Sequence, residues 1–182
     1  MDGLSPKLAR RGELYGFADF AGTDEQPWYK ADELKLARPV AGILRVEIRW
    51  HELDDERDPA WLASFCLYAY LHPERNWLLY IGKADNQTVH QRTHGDHKAD
   101  LFDYLCKRYD IEYFRILQGD LVLEEGRRRS SELLSLVESL LIMRLQPPGN
   151  IASTLSRQYR PGLRVYCGGD WPIKRAGFHD WD

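Results

Sequence analysis

Apolar and polar residues alternate strictly near the start of the readable part of the chain. Between residues 40 and 50 the alternation runs through Leu44, Arg45, Val46, Glu47, Ile48, Arg49 and Trp50. A period of two is typical of a strand with one buried face, so this segment predicts a half-buried β-strand. Upstream, glycine and proline interrupt residues 1–38, where only Asp32 to Ala37 favours a short helix, ended by Pro39.

Two short apolar segments, Phe65 to Tyr70 and Trp77 to Ile81, flank a polar stretch that contains a proline. The segments are rich in residues that strands prefer, and the polar stretch has turn chemistry, so together they predict a β-hairpin. Because side chains alternate between the two faces of a strand, Tyr68 shares a face with Cys66 and Tyr70, and Tyr80 shares a face with Leu78 and Gly82. Gly82 ends the second strand without a side chain, which allows close approach to the Tyr80 face.

Two helices and a third strand are predicted after the hairpin. Thr88 is a suitable N-cap for a short helix over residues 89–94. Asp96 favours a second start, before an amphipathic helix whose apolar face holds Leu101, Phe102, Tyr104 and Leu105. Alternation from Ile111 to Leu117 predicts the strand, and the Gln-Gly-Asp sequence that follows predicts a turn. Leu163 to Cys167 is one more strand candidate, before an irregular C-terminal tail.

The strongest helix signal covers residues 133–145, which are apolar almost all round. It begins at Ser130 or Ser131 and stops before Pro147, and such a helix is buried. Glu138 lies within it. Burying a carboxylate on an apolar helix is costly unless it is paired or binds a metal. Glu138 is therefore half of a buried ion pair, a residue on a solvent-exposed edge of the helix, or a functional residue.

The composition favours one globular domain in a reducing compartment. The chain has 182 residues, 43% of them apolar, and its three cysteines form no C-x-x-C motif. The N-terminus lacks the pattern of a secretory signal, and the most apolar stretch is too short to span a bilayer, so we expect a cytoplasmic protein without a membrane partner. A net charge of -3 argues against a generic polyanion binder, although the last third of the chain is basic.

A set of motifs follows in order along the chain: Cys66-Leu67-Tyr68, Tyr80-Ile81-Gly82, Arg92, Glu138 and Asn150. Together they resemble the signature of the GIY-YIG nuclease family, over about residues 65–153. The most specific parts are the block from Tyr80 to Lys83 and the run from Val137 to Asn150.

The resemblance implies an α+β fold with a small three-stranded antiparallel sheet flanked by helices. On this basis, residues 1–62 form a strand-bearing N-terminal extension packed on the core, residues 63–155 form the GIY-YIG core, and residues 156–182 form a C-terminal strand and tail. All three belong to a single globular unit.

The sequence departs from the family pattern at two places. Cys66 stands where the first motif usually has glycine. Family members commonly carry a histidine or tyrosine one helical turn after the arginine, and here that position is Asp96. We take His97 as the active-site histidine, with His94 as the reserve.

The implied activity is metal-dependent DNA endonuclease chemistry, in which one divalent ion and a tyrosine-assisted water hydrolyse a phosphodiester bond. The resemblance gives Glu138 as the ligand of one Mg²⁺ or Mn²⁺ ion. Tyr68 would take a proton from the attacking water. Because a free tyrosine has a pKa of about 10, that role needs help from a neighbouring charge or a relay. The implied site residues are Tyr68, Tyr80, Lys83, Arg92, His97, Glu138 and Asn150.

The remaining roles follow from the same resemblance. Tyr80 would orient the water or the phosphate, Arg92 would contact the phosphate, and His97 would relay the proton of the tyrosine. Lys83 would help to lower the tyrosine pKa, and Asn150 would fix the end of the site by hydrogen bonds. DNA is the expected partner and RNA is not excluded. Specificity would come from the N-terminal extension, the tail, a second subunit in a homodimer or a protein partner. The alternative is a non-catalytic nucleic-acid-binding or interaction module with the same fold.

Overall fold

The computed structural model describes residues 43–55, 57–95, 98–150, 162–174 and 176–179. The helix expected from Asp32 to Ala37 lies outside the described residues. The strands are β1 (Leu44–Glu52), β2 (Cys66–Leu71), β3 (Leu78–Ala84), β4 (Arg115–Leu123), β5 (Leu163–Gly169) and β6 (Gly177–His179). The α-helices are α1 (Val89–Thr93), α2 (Ala99–Tyr109) and α3 (Ser131–Leu145), and Pro59–Leu62 form a 3₁₀ turn.

The strands form one six-stranded mixed sheet in the order β3-β2-β4-β1-β5-β6. Every neighbouring pair is antiparallel except β1 and β5, which run parallel. The predicted hairpin is confirmed as β2 and β3, and the alternating segment is confirmed as β1. The tail, expected to be irregular, contributes the three-residue strand β6.

The prediction of a small three-stranded antiparallel sheet is wrong. Strands β3, β2 and β4 are antiparallel neighbours, but β1 pairs with the other side of β4, and β5 and β6 extend the sheet further. The predicted turn at Gln118-Gly119-Asp120 is instead the middle of β4. Gly119 lies opposite Trp50 of β1, and a Cβ at Gly119 would stand 2.8 Å from the Trp50 ring. The glycine therefore lets two strands pack closely around an indole, rather than reversing the chain.

The two halves of the sheet differ in how they are covered. Every residue of β2 is buried, so helices cover both faces at the centre, whereas β1 alternates buried and exposed residues along most of its length. Helix α3 packs its apolar surface on the sheet and contributes Leu134, Val137, Leu140, Leu141 and Ile142 to the main core. This arrangement fixes β3 and α3 side by side at one edge of the sheet.

Local sequence explains where the helices begin and end. Thr88 and Gln91 form a reciprocal capping box at the start of α1. The Ser130 side chain accepts a hydrogen bond from the Leu133 N–H at the start of α3, and α3 ends at Gln146 in the left-handed conformation. Within the described part of the chain, no helix is long and apolar enough to cross a membrane.

Candidate active site

The two motif tyrosines meet above Gly82, which was expected to end the second strand but lies within β3, two residues before its last residue. In the β2–β3 register Tyr68 lies opposite Gly82, and Tyr70 lies opposite Tyr80. The ring centroids of Tyr68 and Tyr80 are 6.0 Å apart. A Cβ at Gly82 would stand 2.5 Å from Cζ of Tyr68 and 2.8 Å from Cε1 of Tyr80. The missing side chain of Gly82 thus makes the space in which the two phenols converge.

Lys98 joins the two tyrosine hydroxyls. Its Nζ donates to Tyr68 Oη at 2.5 Å and to Tyr80 Oη at 2.6 Å, and it lies 3.8 Å from the centroid of the Tyr80 ring. The side chain is buried, with 5% of the residue exposed. Burial, with a further contribution from the charge of Arg92, lowers the pKa of Lys98 to about 7, although Glu138 acts in the opposite direction. Lys98 is therefore a buried amine that exchanges a proton near neutral pH.

Sequence reasoning missed Lys98. The only signal was its position at the start of α2, directly after the histidine chosen from the family pattern. That histidine, His97, lies outside the described residues. The reserve, His94, lies elsewhere: its Nδ1 is 2.9 Å from Thr93 Oγ1, and its ring stacks on His90 at 4.3 Å.

Burial dominates the titration of both tyrosines. Tyr68 is fully buried, and burial raises its pKa although the charge of Arg92 opposes this. Burial likewise raises the pKa of Tyr80, and the neighbouring Tyr68 adds to the effect. Both phenols are therefore neutral in the protein alone, and Tyr68 needs a partner to take its proton if it is to act as a base.

Arg92 presents an unused donor beside Tyr68. The residue lies on α1, and its Nη1 is 3.3 Å from Gln87 Oε1. Its Nε is buried and has no hydrogen-bond partner among the described residues. A buried guanidinium donor without an acceptor is costly, and an anion placed beside Tyr68 would remove that cost.

Glu138 faces the edge strand β3 from α3. Its Oε2 lies 3.9 Å from Lys83 Nζ, which also donates a hydrogen bond to Ser135 Oγ. Burial raises the pKa of Glu138, while the charges of Lys83, Lys98 and Arg92 oppose that shift. The carboxylate is thus partly desolvated and surrounded by cations, and none of the described cations forms a short ion pair with it.

Asn150 supports the site from the other side of β3. Its Oδ1 accepts from the Ile81 N–H at 2.8 Å, and its Nδ2 donates to the Ile81 carbonyl at 2.6 Å. The residue is buried, and its bonds hold the backbone between Tyr80 and Gly82. Asn150 therefore positions the strand and does not contact the tyrosine hydroxyls through these bonds.

The predicted residues within the described ranges converge on one end of the hairpin, together with Lys98. Three cations, one carboxylate and two neutral phenols act on one another there electrostatically. Among the described residues, no group of three or more His, Cys, Asp or Glu side chains could hold a metal ion. Among the described residues, Glu138 is the carboxylate that acts electrostatically on Tyr68, Tyr80 and Lys98.

Comparison with known proteins identifies no relative: no family model, no curated protein and no solved structure matches the chain.

Proposed function

We propose that the protein is a GIY-YIG-type endonuclease that hydrolyses phosphodiester bonds in DNA. The observation that carries this proposal is the bridge from Lys98 to the hydroxyls of both motif tyrosines, beside the unpartnered Nε of Arg92. Cationic donors beside a buried tyrosine pair suit an anionic substrate, and two phenols with a low-pKa amine suit proton transfer.

Glu138 fits the metal that this activity requires. A partly buried carboxylate whose described ion-pair partner stays 3.9 Å away is a suitable ligand for Mg²⁺ or Mn²⁺, because hard ions often keep waters and use substrate phosphates as further ligands. When bound, such an ion stabilises negative charge on the scissile phosphate and on the leaving oxygen. The surrounding lysine and arginine side chains allow the carboxylate to stay ionised in its buried position.

The proton path runs from Tyr68 to Lys98. The neutral amine of Lys98 accepts the phenolic proton as Tyr68 takes a proton from the attacking water, so the phenol carries no lasting charge. The 2.5 Å contact makes this transfer direct, and a lysine pKa of about 7 leaves the amine largely neutral at slightly alkaline pH. Lys98 thereby takes the relay role that the family resemblance gave to His97, and Tyr80 holds the amine in place.

Arg92 and Lys83 bind the substrate phosphate in this proposal. The Nε of Arg92 has no hydrogen-bond partner among the described residues, and the Arg92 charge acts on Tyr68, so this guanidinium suits a phosphate oxygen. Lys83 sits next to Glu138 at the edge of β3 and adds positive charge there. We also propose that a second copy or a protein partner supplies sequence specificity, and that the protein works in the cytoplasm, where its three free cysteines stay reduced.

A non-catalytic nucleic-acid-binding module is the second candidate. The observation that favours it is the complete burial of Tyr68, since a general base must reach the water that it deprotonates. This alternative expects binding without metal-dependent cleavage.

A cleavage panel separates the two candidates. Supercoiled plasmid, branched DNA, single-stranded DNA and matched RNA are incubated with Mg²⁺, Mn²⁺ or EDTA. The nuclease proposal expects metal-dependent DNA cutting that Glu138→Ala abolishes. Glu132→Ala, on the exposed start of the same helix, is the matched control and retains activity. Cutting by Glu138→Ala at the wild-type rate would overturn the site, and binding without cutting would support the module.

A further inference from the structure

A cavity with mostly aromatic walls lies next to the candidate active site. Its volume is about 600 Å³, within the ~300–1,000 Å³ range typical of small-molecule sites. Seven of its nine lining residues carry rings, among them Trp61, Tyr70, His90, His94 and Tyr113.

The cavity adjoins the candidate active site through Tyr70. This residue lines the cavity, and its ring centroid is 5.9 Å from that of Tyr68 and 5.7 Å from that of Tyr80. Helix α1 makes the second connection: Thr93 lines the cavity, and the preceding residue, Arg92, interacts with Tyr68 and has a buried Nε with no partner among the described residues. A phosphate bound to Arg92 would therefore be held by the residue directly before one that lines the cavity.

The cavity has a buried hydroxyl group on one wall and a solvent-exposed aromatic ring on another. Tyr70 is the most buried lining residue, and its hydroxyl has no hydrogen-bond partner among the described residues. Thr93, the nearby hydroxyl, is already bonded to the His90 carbonyl and to the His94 ring. Tyr113 is 63% exposed although it is a large aromatic residue. An exposed ring that lines a cavity is placed to stack on a ligand entering from solvent.

We propose that this cavity binds one unpaired nucleobase of the nucleic acid whose phosphate lies at Arg92. The inference rests on the proposed function and deepens it, because it makes single-stranded, mismatched or flipped DNA the preferred substrate. Aromatic side chains stack on any base, and a free hydroxyl at depth can bond to a base edge. The neighbouring guanidinium supplies the charge that a backbone phosphate needs.

The test follows base binding without cleavage. A single-stranded DNA oligonucleotide carrying one 2-aminopurine is titrated with protein in EDTA, and fluorescence quenching reports stacking of that base. Tyr113→Ala is expected to weaken binding by roughly 5- to 150-fold, the range typical of losing one stacking ring. Tyr113→Phe is expected to bind like the wild type. Tyr166→Ala, an exposed tyrosine on β5, is the matched control and also binds like the wild type.

A second variant tests whether the loss of binding comes from the cavity as a whole or from Tyr113 alone. His90→Ala removes another exposed wall of the cavity and is expected to reduce the quenching in the same direction. Wild-type quenching in both alanine variants would overturn the nucleobase pocket even if the protein cuts DNA. The opposite result is also informative. If quenching depends on the cavity residues but Glu138→Ala cuts DNA as fast as the wild type, the nuclease site is overturned and the nucleobase pocket is kept.

Discussion

Tyr68 lies directly opposite Gly82 in the β2–β3 hairpin, and its ring occupies the space that a side chain at residue 82 would need. Even a methyl group there would stand 2.6 Å from the tyrosine hydroxyl oxygen. The Tyr68 hydroxyl can therefore reach Lys98 only because residue 82 is a glycine and leaves room for the ring.

Gly82→Ala is expected to destabilise the protein and to move both tyrosines. Overpacking a close-packed site typically costs about 1–3 kcal/mol in the free energy of unfolding. Chemical denaturation measures that cost. Gly168→Ala on β5 is the matched control, because a Cβ at Gly168 meets nothing within 4 Å. Equal stability of the two variants would show that Tyr68 does not occupy this position in solution.

Lys98→Met is expected to change how stability depends on pH. The folded-state pKa of Lys98, about 7, lies below its ordinary value, so between these values the unfolded chain binds more protons than the folded one. The contribution of Lys98 to stability therefore rises with pH from about 7, by at most about 1.4 kcal/mol per pH unit.

Unfolding of wild type and Lys98→Met at several pH values between 6.5 and about 9.5 measures this difference, since tyrosines ionise in unfolded chains near pH 10. The wild type should gain stability relative to the variant across that window. The exposed Lys107→Met is the control for the loss of one surface lysine. A pH-independent difference between wild type and Lys98→Met would contradict the lowered pKa.

Glu138→Gln is expected to stabilise the protein alone while it abolishes cleavage. Burial raises the folded-state pKa of this carboxyl above its unfolded value. Its favourable contribution is complete below the unfolded pKa and is lost as pH rises through the folded pKa. Glutamine resembles the protonated form, so the variant should gain stability relative to wild type as pH rises from 4 to 7. A loss of stability at pH 7 would show that Glu138 is instead a structural ion-pair partner.

Mg²⁺ is expected to raise the Tm of the wild type and to leave Glu138→Ala unchanged. A ligand at tenfold excess over its Kd stabilises a folded protein by about 1.4 kcal/mol. For a chain of this size that corresponds to a rise of roughly 3–6 °C. Addition of EDTA should reverse the rise, and Glu132→Ala should keep it. The same rise in Glu138→Ala would place the ion elsewhere.

Asn150→Ala is expected to lower the free energy of unfolding by about 2–3 kcal/mol, because two buried hydrogen bonds to the Ile81 backbone are lost. Denaturant unfolding checks the value, with Asn86→Ala as the control, since Asn86 is exposed in the turn after β3. If Asn150 acts only by holding β3, Asn150→Ala should also reduce cleavage at temperatures where it remains folded. A neutral effect on stability would remove the positioning role.

Local pattern was enough to predict the hairpin, β1 and α3, because each has a strong period or an all-apolar surface of its own. Local pattern was misleading at Gly119, where the surrounding residues are typical of a turn. There the strand is favoured because Gly119 leaves room for the indole of Trp50 on the neighbouring strand. Local pattern also could not reveal the parallel pairing of β1 with β5, since residues more than a hundred positions apart meet there.

The site divides in the same way. Tyr68, Tyr80, Arg92 and Glu138 were found through an ordered motif, which needs no structural knowledge. Lys98 belongs to no such pattern, and only the three-dimensional meeting of α2 with the hairpin brings its amine to the tyrosines. A buried lysine is recognised by its surroundings, and the sequence around it is polar.

The loop after α3 has a consequence for how the protein behaves at high concentration. Strand β3 is an edge strand, and exposed edges can pair with other chains and start aggregation. Here Gly149 donates to the Leu79 carbonyl, and the Asn150 amide satisfies both backbone groups of Ile81. The opposite edge, β6, is only three residues long. Each edge of the sheet is thus blunted, so the fold discourages strand-to-strand association of its own copies, and Asn150 protects solubility as well as geometry.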